Sequence, residues 1–296
     1  MIQFPEKFQE RMQQMLGDEE YAEFLKSYDL PFHNGLRINT WKTKPKELLQ
    51  RMGVDLKQVP WNETGFYLEN KKQFSKHPYY QGGLYYIQEA SAMLPAKLVN
   101  AQPGEKILDM CAAPGGKSTA IGAALKGEGH FAAVLCRDAD SEPMGGKVTL
   151  ASVPKLPAEM ESFFQFLETE GIHYPFDKKR LLVQNGYVQY IPEGMPELKG
   201  LHIMRSGWFL GELKKKRFEP SGAFARGLTP DVCEKVIAYP GDSEEVVRYL
   251  KCETLQVDPN LKNGWYLICV DEFALGWGKV SNGTLKNKYP SGWRLV

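Results

Sequence analysis

The side chains best placed to do chemistry are concentrated in one string, DMCAAPGGKST, from Asp109 to Thr119. It holds a carboxylate, a thiol, a glycine pair, an amine and two hydroxyls. An apolar run, KILDM, precedes it, and an alanine-rich segment, STAIGAALKG, follows. The order is strand, small-residue loop, helix. In parallel α/β sheets ligands sit at the carboxyl ends of strands, where backbone N–H groups and helix N-termini face them. Gly115 and Gly116 would let the main chain approach such a ligand closely. The chemistry implied is recognition of a phosphate or nucleoside. A P-loop needs glycine six residues before its lysine, and that position is Cys111; no G-x-G-x-x-G occurs here either. For a glycine pair alone, a tight turn with no ligand is the plainer reading.

The elements around this loop can be read from pattern. Phe4, Phe8, Met12 and Met15 recur at helical spacing, and GDEEYAEFLKSY repeats the pattern. GLRINT (Gly35–Thr40) reads as a strand. KPKELLQRMG is a short helix with Pro45 near its start and Gly53 at its end, and PWNETGFYLE is strand and turn. A helix is expected from near Glu89 to Val99, then a buried strand over Lys106–Met110. After the loop comes a helix that Gly127 can end, and then a second apolar strand, HFAAVLCR. This is one strand–helix–strand unit of about 33 residues, near the minimum for such a unit. Tyr85, Tyr86 and Met93 are expected in the core.

The polar, then Pro- and Gly-rich stretch 139–157 reads as a linker. AEMESFFQFLETEG is an amphipathic helix. RLLVQNGYVQYI is a hairpin about Asn185-Gly186, the pair that type I′ turns favour. The end of the chain, rich in short strands and turn signals, suggests a small β-barrel.

Of the 296 residues 43% are hydrophobic and 25% charged, and the net charge is +1. That is globular composition, and nucleic-acid contact would have to come from local patches. Five cysteines (Cys111, Cys136, Cys233, Cys252, Cys269) form no C-x-x-C pair, and no histidines stand at ligand spacing, so no metal site is expected. The first residues have no apolar signal core, and no run has the roughly 18 apolar residues of a membrane span. The expectation is a soluble, reducing, cytoplasmic monomer.

DMCAAPGGKST resembles the S-adenosylmethionine loop of the Nol/Nop/Sun family of RNA cytosine-5 methyltransferases. GLRINT, GFYLE, KHPYYQGGLYYIQEASAM, GELKKKRFEPS and GWGKVSNGTLKNKYPSGWR look like family segments in family order. The likeness covers nearly the whole chain. Its C-terminal half is similar to bacterial ribosomal-RNA members ending in a PUA-like module. The resemblance implies an α/β fold: a remnant of a doubly wound, Rossmann-like methyltransferase domain between an N-terminal α/β module and a C-terminal α+β and PUA-like region. The expected divisions are an RNA-binding module over 1–76, a truncated methyltransferase domain over 77–138, the linker, an α+β module over 158–227 and a PUA-like barrel over 228–296. Cys111, Ala112, Ala113, Pro114, Gly115, Gly116 and Lys117 would bind S-adenosyl-L-methionine.

The family's two cysteines follow proline and threonine. One adds to carbon 6 of cytosine and the other assists release of the adduct. Neither Pro-Cys nor Thr-Cys occurs in this sequence, so no catalytic residue is assigned. Between Leu125 and Lys126 the family would place most of its sheet, so roughly half to three-quarters of that domain is missing. Asp138 stands where a ribose-binding acid could be expected, but its context follows the last strand of the domain. Cys136 and Cys269 lie in apolar runs and read as inert buried thiols.

For RNA, ribosomal by the resemblance, the family segments point to Arg37 and Asn39 in GLRINT and to Lys214, Lys215, Lys216 and Arg217. It points also to Lys286, Lys288, Tyr289 and Arg294. Cations meet phosphates and aromatics stack on unpaired bases. A solvated basic face is the bland reading of both basic runs, and a purely structural strand that of Arg37 and Asn39. The parent function implied is rRNA methylation, and a non-catalytic RNA-binding protein is the alternative class.

Overall fold

The computed structural model describes residues 4–29, 34–68, 71–112, 115–126, 130–133, 155–195, 207–215 and 217–296. Most of the expected linker, the Gly127 helix stop, Cys136, Asp138, Ala113, Pro114 and Lys216 lie outside them.

The first elements are α1 (Glu6–Ser27), β1 (Asn34–Ile38), α2 (Pro45–Met52), β2 (Gly65–Leu68), α3 (Lys71–Lys76), α4 (Pro78–Gln81), β3 (Tyr85–Ile87) and α5 (Ala90–Val99). Then come β4 (Lys106–Asp109), α6 (Gly116–Ala124), β5 (His130–Ala133), α7 (Glu161–Glu170), β6 (Leu181–Gln184) and β7 (Tyr187–Tyr190). The chain continues through β8 (Trp208–Lys214), β9 (Arg217–Pro220), α8 (Gly222–Arg226), β10 (Val236–Tyr239) and α9 (Glu244–Leu250). It closes with β11 (Leu255–Gln256), β12 (Gly264–Val270), β13 (Phe273–Ser281) and β14 (Thr284–Asn287). Two compact units result. One comprises 1–37, 49–71 and 87–133; the other comprises 38–48, 72–86 and 134–296.

In the first unit α1 doubles back at Gly17, whose φ of 75° and ψ of 169° are non-helical. Phe4 meets Tyr28 with ring centroids 4.6 Å apart, and Phe8 meets Phe24 at 6.3 Å. The two helical runs of the sequence are thus the arms of a helical hairpin. β1 and β2 pair antiparallel, with Leu36 opposite Phe66. Gln88 N–H donates to the Gly35 carbonyl at 2.9 Å. A side chain at Gly35 would meet the Gln88 carbonyl at 2.7 Å, so only glycine allows this approach. Val59, Ala90 and Met93 form one small core; Ala101, Ile121 and Leu125 form another. α5 ends on Asn100, which takes the left-handed conformation at φ 50°.

β4 and β5 pair in parallel as a two-stranded sheet, Lys106 opposite His130 and Asp109 opposite Ala133. The expected buried strand is corrected here. Lys106–Asp109 alternates between exposed and half-buried, with Leu108 57% and Met110 65% exposed. A parallel strand is normally covered on both faces and paired on both edges. Among the described residues β4 has a single partner strand.

The second unit holds the main core. α7 turns Phe163 and Phe166 inward and stops at Gly171, φ 66°. Phe163 packs edge-on against Phe218 at 4.9 Å and Phe176 at 5.6 Å. β6 to β9 form an antiparallel meander. Its first turn is Asn185-Gly186, with φ of 52° and 79°, the two positive values that a type I′ turn requires. β10 pairs in parallel with β12, and the order of that sheet is β10-β12-β13-β14-β11. β13 is buried on both faces for most of its length. Gly276 makes this possible, because a Cβ there would meet the Tyr249 hydroxyl at 2.6 Å. Ser221 and Ser243 cap α8 and α9, accepting from Phe224 N–H at 3.0 Å and Val246 N–H at 3.3 Å.

Candidate nucleoside loop and nucleic-acid interface

The loop is built around Asp109, the last residue of β4. Its carboxylate accepts from Cys111 N–H at 2.9 Å and from the Ser118 hydroxyl at 2.6 Å. These bonds, Ser118 first, hold the Asp109 carboxyl below the usual carboxylate range, with a smaller pull from Lys117. Asp109 therefore ties the start of the loop to the first turn of α6. Gly115 sits at φ 100°, a conformation suited to glycine, and its carbonyl accepts from Thr119 N–H at 2.9 Å. Gly116 is buried, while Cys111 and Lys117 are exposed and Ala112 is half-buried.

Arg37 braces this loop from behind. It is 8% exposed, and its Nη2 donates to the Gly116 carbonyl at 3.1 Å and to Thr119 Oγ1 at 2.9 Å. Its Nε donates to Gln88 Oε1 at 3.3 Å. The strand residue expected to border RNA is turned inward, because a guanidinium buried among carbonyl and hydroxyl oxygens satisfies its donors there. Asn39 follows the end of β1. Its Nδ2 donates to the Gly83 carbonyl at 2.9 Å and its Oδ1 accepts from Trp41 N–H at 3.2 Å. It fixes the turn rather than facing outward.

Lys214 ends β8 and Lys215 follows it, both on the surface, and Lys214 pairs with Glu212. Arg217 opens β9 and lies 3.6 Å from Glu219. Lys286, Lys288 and Arg294 are exposed. Tyr289 is 6% exposed and its hydroxyl donates to Gln81 Oε1 at 3.0 Å, so its ring faces the core instead of an RNA base. Trp265, which sequence reasoning passed over, is half-buried on β12 and has Lys288 Nζ 5.7 Å from its ring centroid. Nothing in a tryptophan between apolar residues marked it in advance.

Tyr85 and Met93 are core residues and Tyr86 is half-buried. Cys269 is buried, and burial pushes its thiol up to about 12; burial likewise raises Cys233 to about 11. A thiol held that far up is a poor nucleophile. Cys111 is exposed and Cys252 half-buried. Among the described residues no group of three or more histidine, cysteine or acidic side chains could hold a metal ion, and no helix is long and apolar enough to cross a membrane.

Three family models match the chain. Residues 4–90 match the N-terminal domain of 16S rRNA methyltransferase RsmF, residues 165–228 its first C-terminal domain, and residues 237–295 its PUA domain. Ribosomal RNA small subunit methyltransferase F of Vibrio campbellii is 35% identical over 141 residues, covering 45% of this chain and 30% of that protein. The human 28S rRNA (cytosine(4447)-C(5))-methyltransferase is 37% identical over 128 residues, 42% of this chain and 15% of that one. A crystal structure of a methyltransferase homologue from Pyrococcus horikoshii, 33% identical, covers 44% of each chain with a TM-score of 0.40. The matches to relatives of the small-subunit type thus span about a third of those proteins' length. The mixed α/β fold and the matched segments place domains of the rRNA-methyltransferase type on one chain that ends in a PUA-like sheet. The chain belongs to the Nol/Nop/Sun family of RNA methyltransferases, and the domains matched are those of its RsmF branch.

Proposed function

We propose that this chain derives from an S-adenosylmethionine-dependent rRNA cytosine-5 methyltransferase and binds RNA without methylating it. The observation that carries the reading is the pairing of an intact DMCAAPGGKST loop with the absence of both cysteine contexts, Pro-Cys and Thr-Cys. Carbon 5 of cytosine is a weak nucleophile. The family activates it by adding a thiolate to carbon 6, a step that needs an accessible, ionised thiol beside the base. Cys269 and Cys233 are disfavoured as thiolates, and Cys111 belongs to the cofactor loop.

The residues present fit one part of a cofactor site. Cys111, Ala112, Gly115, Gly116 and Lys117 would hold S-adenosyl-L-methionine, with Ala113 and Pro114 completing the string. The left-handed Gly115 and the start of α6 suit close approach of a ligand. Bound there, the cofactor supplies the methyl donor. RNA contact falls to the C-terminal cations.

Incubating the purified chain with ribosomal RNA and methyl-labelled S-adenosylmethionine tests the reading. The expected result is RNA retained on the protein with no 5-methylcytosine formed. Measurable 5-methylcytosine would overturn it.

A further inference from the structure

The two basic segments that the sequence keeps apart meet in one place. Arg217 from β9 and Lys288 just after β14 line the same cleft, of about 310 Å³, together with Trp265, Lys279, Gln165 and Glu219. Strand register explains the part of the convergence that lies on the C-terminal sheet. Trp265 on β12 stands opposite Lys279 on β13, and Lys279 stands opposite Lys286 on β14. Side chains directly opposite in a ladder share a face, and so do residues two apart along a strand. Trp265, Lys279, Lys286 and Lys288 therefore form one stripe across three strands.

Two features of the stripe point to an anionic, planar ligand. First, Lys279 and Lys286 are like charges directly opposite each other, an arrangement that destabilises a sheet. Among the described residues neither they nor Lys288 has a carboxylate within ion-pair distance. An anion between them relieves the repulsion. Second, the amines of Lys279 and Lys288 stand 5.8 and 5.7 Å from the centroid of the Trp265 ring. That ring is held edge-on by Phe166 at 6.2 Å and Trp277 at 6.4 Å, which fixes its plane. Its main-chain N–H donates to Glu170 Oε2 at 3.0 Å, which fixes its backbone as well.

We propose that this cleft is a binding site for an unpaired RNA nucleotide. The base stacks on Trp265, Lys279 and Lys288 take the phosphates that flank it, and Arg217 extends the path toward the β8–β9 hairpin. Glu219 and Gln165 on the wall offer oxygens to the base's amino groups. Stacking on an aromatic platform beside cations is how single strands are held without reading a long sequence. Duplex RNA cannot present a base face in this way. The proposal rests on the RNA-binding reading above and names the part of the surface that does the binding.

The test uses the full chain and a short, unstructured, fluorescently labelled oligoribonucleotide, followed by anisotropy over a series of salt concentrations. Trp265→Ala is expected to weaken binding about five- to hundredfold, and Trp265→Phe to restore most of the loss. The double variant K279Q/K288Q is expected to weaken binding at every sequence tested and to flatten the salt slope by about 2. Its thermal midpoint without RNA should equal or exceed that of the unaltered chain, which a merely structural role for these lysines would not give. If K279Q/K288Q binds with unchanged affinity and slope, the site is wrong while the RNA reading stands. If the unaltered chain binds no RNA, both fail. Equal competition by a polyglutamate peptide would also overturn the assignment, in favour of an acidic protein partner.

Discussion

Arg37 donates to the carbonyl of Gly116 at 3.1 Å, so a residue early in the chain holds the first turn of the helix behind the glycine loop. The same guanidinium reaches Thr119 Oγ1 at 2.9 Å and Gln88 Oε1 at 3.3 Å. Arg37→Met removes donors from buried acceptors and is expected to cost about 1–3 kcal/mol. Urea unfolding would show the loss as a lowered midpoint with an unchanged slope. A variant as stable as the unaltered chain, yet weaker for RNA, would return Arg37 to the interface.

Gly211 lies on β8, and a Cβ there would collide with the carbonyl of Glu219 on the paired strand β9. Gly211→Ala must force β8 and β9 apart, at a cost of about 1–3 kcal/mol or more. The expected readout is a lower thermal midpoint together with weaker RNA binding, because the pair carries Lys214 and Arg217. An alanine variant with an unchanged midpoint would show that the strands can separate freely.

The sequence made some of this fold legible because short-range rules decide it. Asn185-Gly186 needs two positive φ values, and few other pairs supply them cheaply. Pro45 and Gly53 bound α2 as expected, and Gly171 ends α7. Burial by distant partners was not legible. KILDM looks like a buried strand in isolation, yet among the described residues it pairs with one strand and stays largely exposed. Arg37 and Tyr289 carry the right chemistry for RNA but are used inside the protein. The two basic runs were visible as runs. Their meeting at Trp265 depends on the register of β12, β13 and β14, which no local pattern records.

Stability should fall at both ends of the pH scale, for different groups. Cys269 is held neutral to about 12, above its ordinary value near 9. The unfolded chain loses that proton first, so stability is full below about 9 and declines as pH climbs toward 12, by up to about 1.4 kcal/mol per unit. His77 is shifted down, mainly by burial, with Asp271 opposing. Its neutral Nδ1 accepts from Tyr79 N–H at 3.1 Å at the start of α4. Protonation abolishes that acceptor, so stability should fall as pH drops below the ordinary histidine range. Denaturation midpoints of Cys269→Ala and His77→Asn across pH would check each arm: the first should flatten the alkaline limb and the second the acid limb.

The exposed apolar side chains of α5 and of β4 and its end should make the first unit sticky. Leu98 is 73% exposed, Met110 65% and Leu108 57%. Leu108→Thr is expected to reduce binding of a hydrophobic dye and slow aggregation, with a stability change within about 0.5 kcal/mol. Unchanged dye binding and unchanged aggregation would place the sticky surface elsewhere.

The two-stranded sheet of β4 and β5 has an evolutionary meaning. A strand, one helix and a parallel partner strand make the smallest closed step of an α/β sheet, and this chain still completes that step. The seam that the family resemblance implies between Leu125 and Lys126 would fall where the step from helix to strand can be rejoined without reversing the direction of either neighbour. Whole layers of such a sheet could leave or return at a junction of this kind as a block, while the core around Phe163 and Phe218 keeps its own contacts.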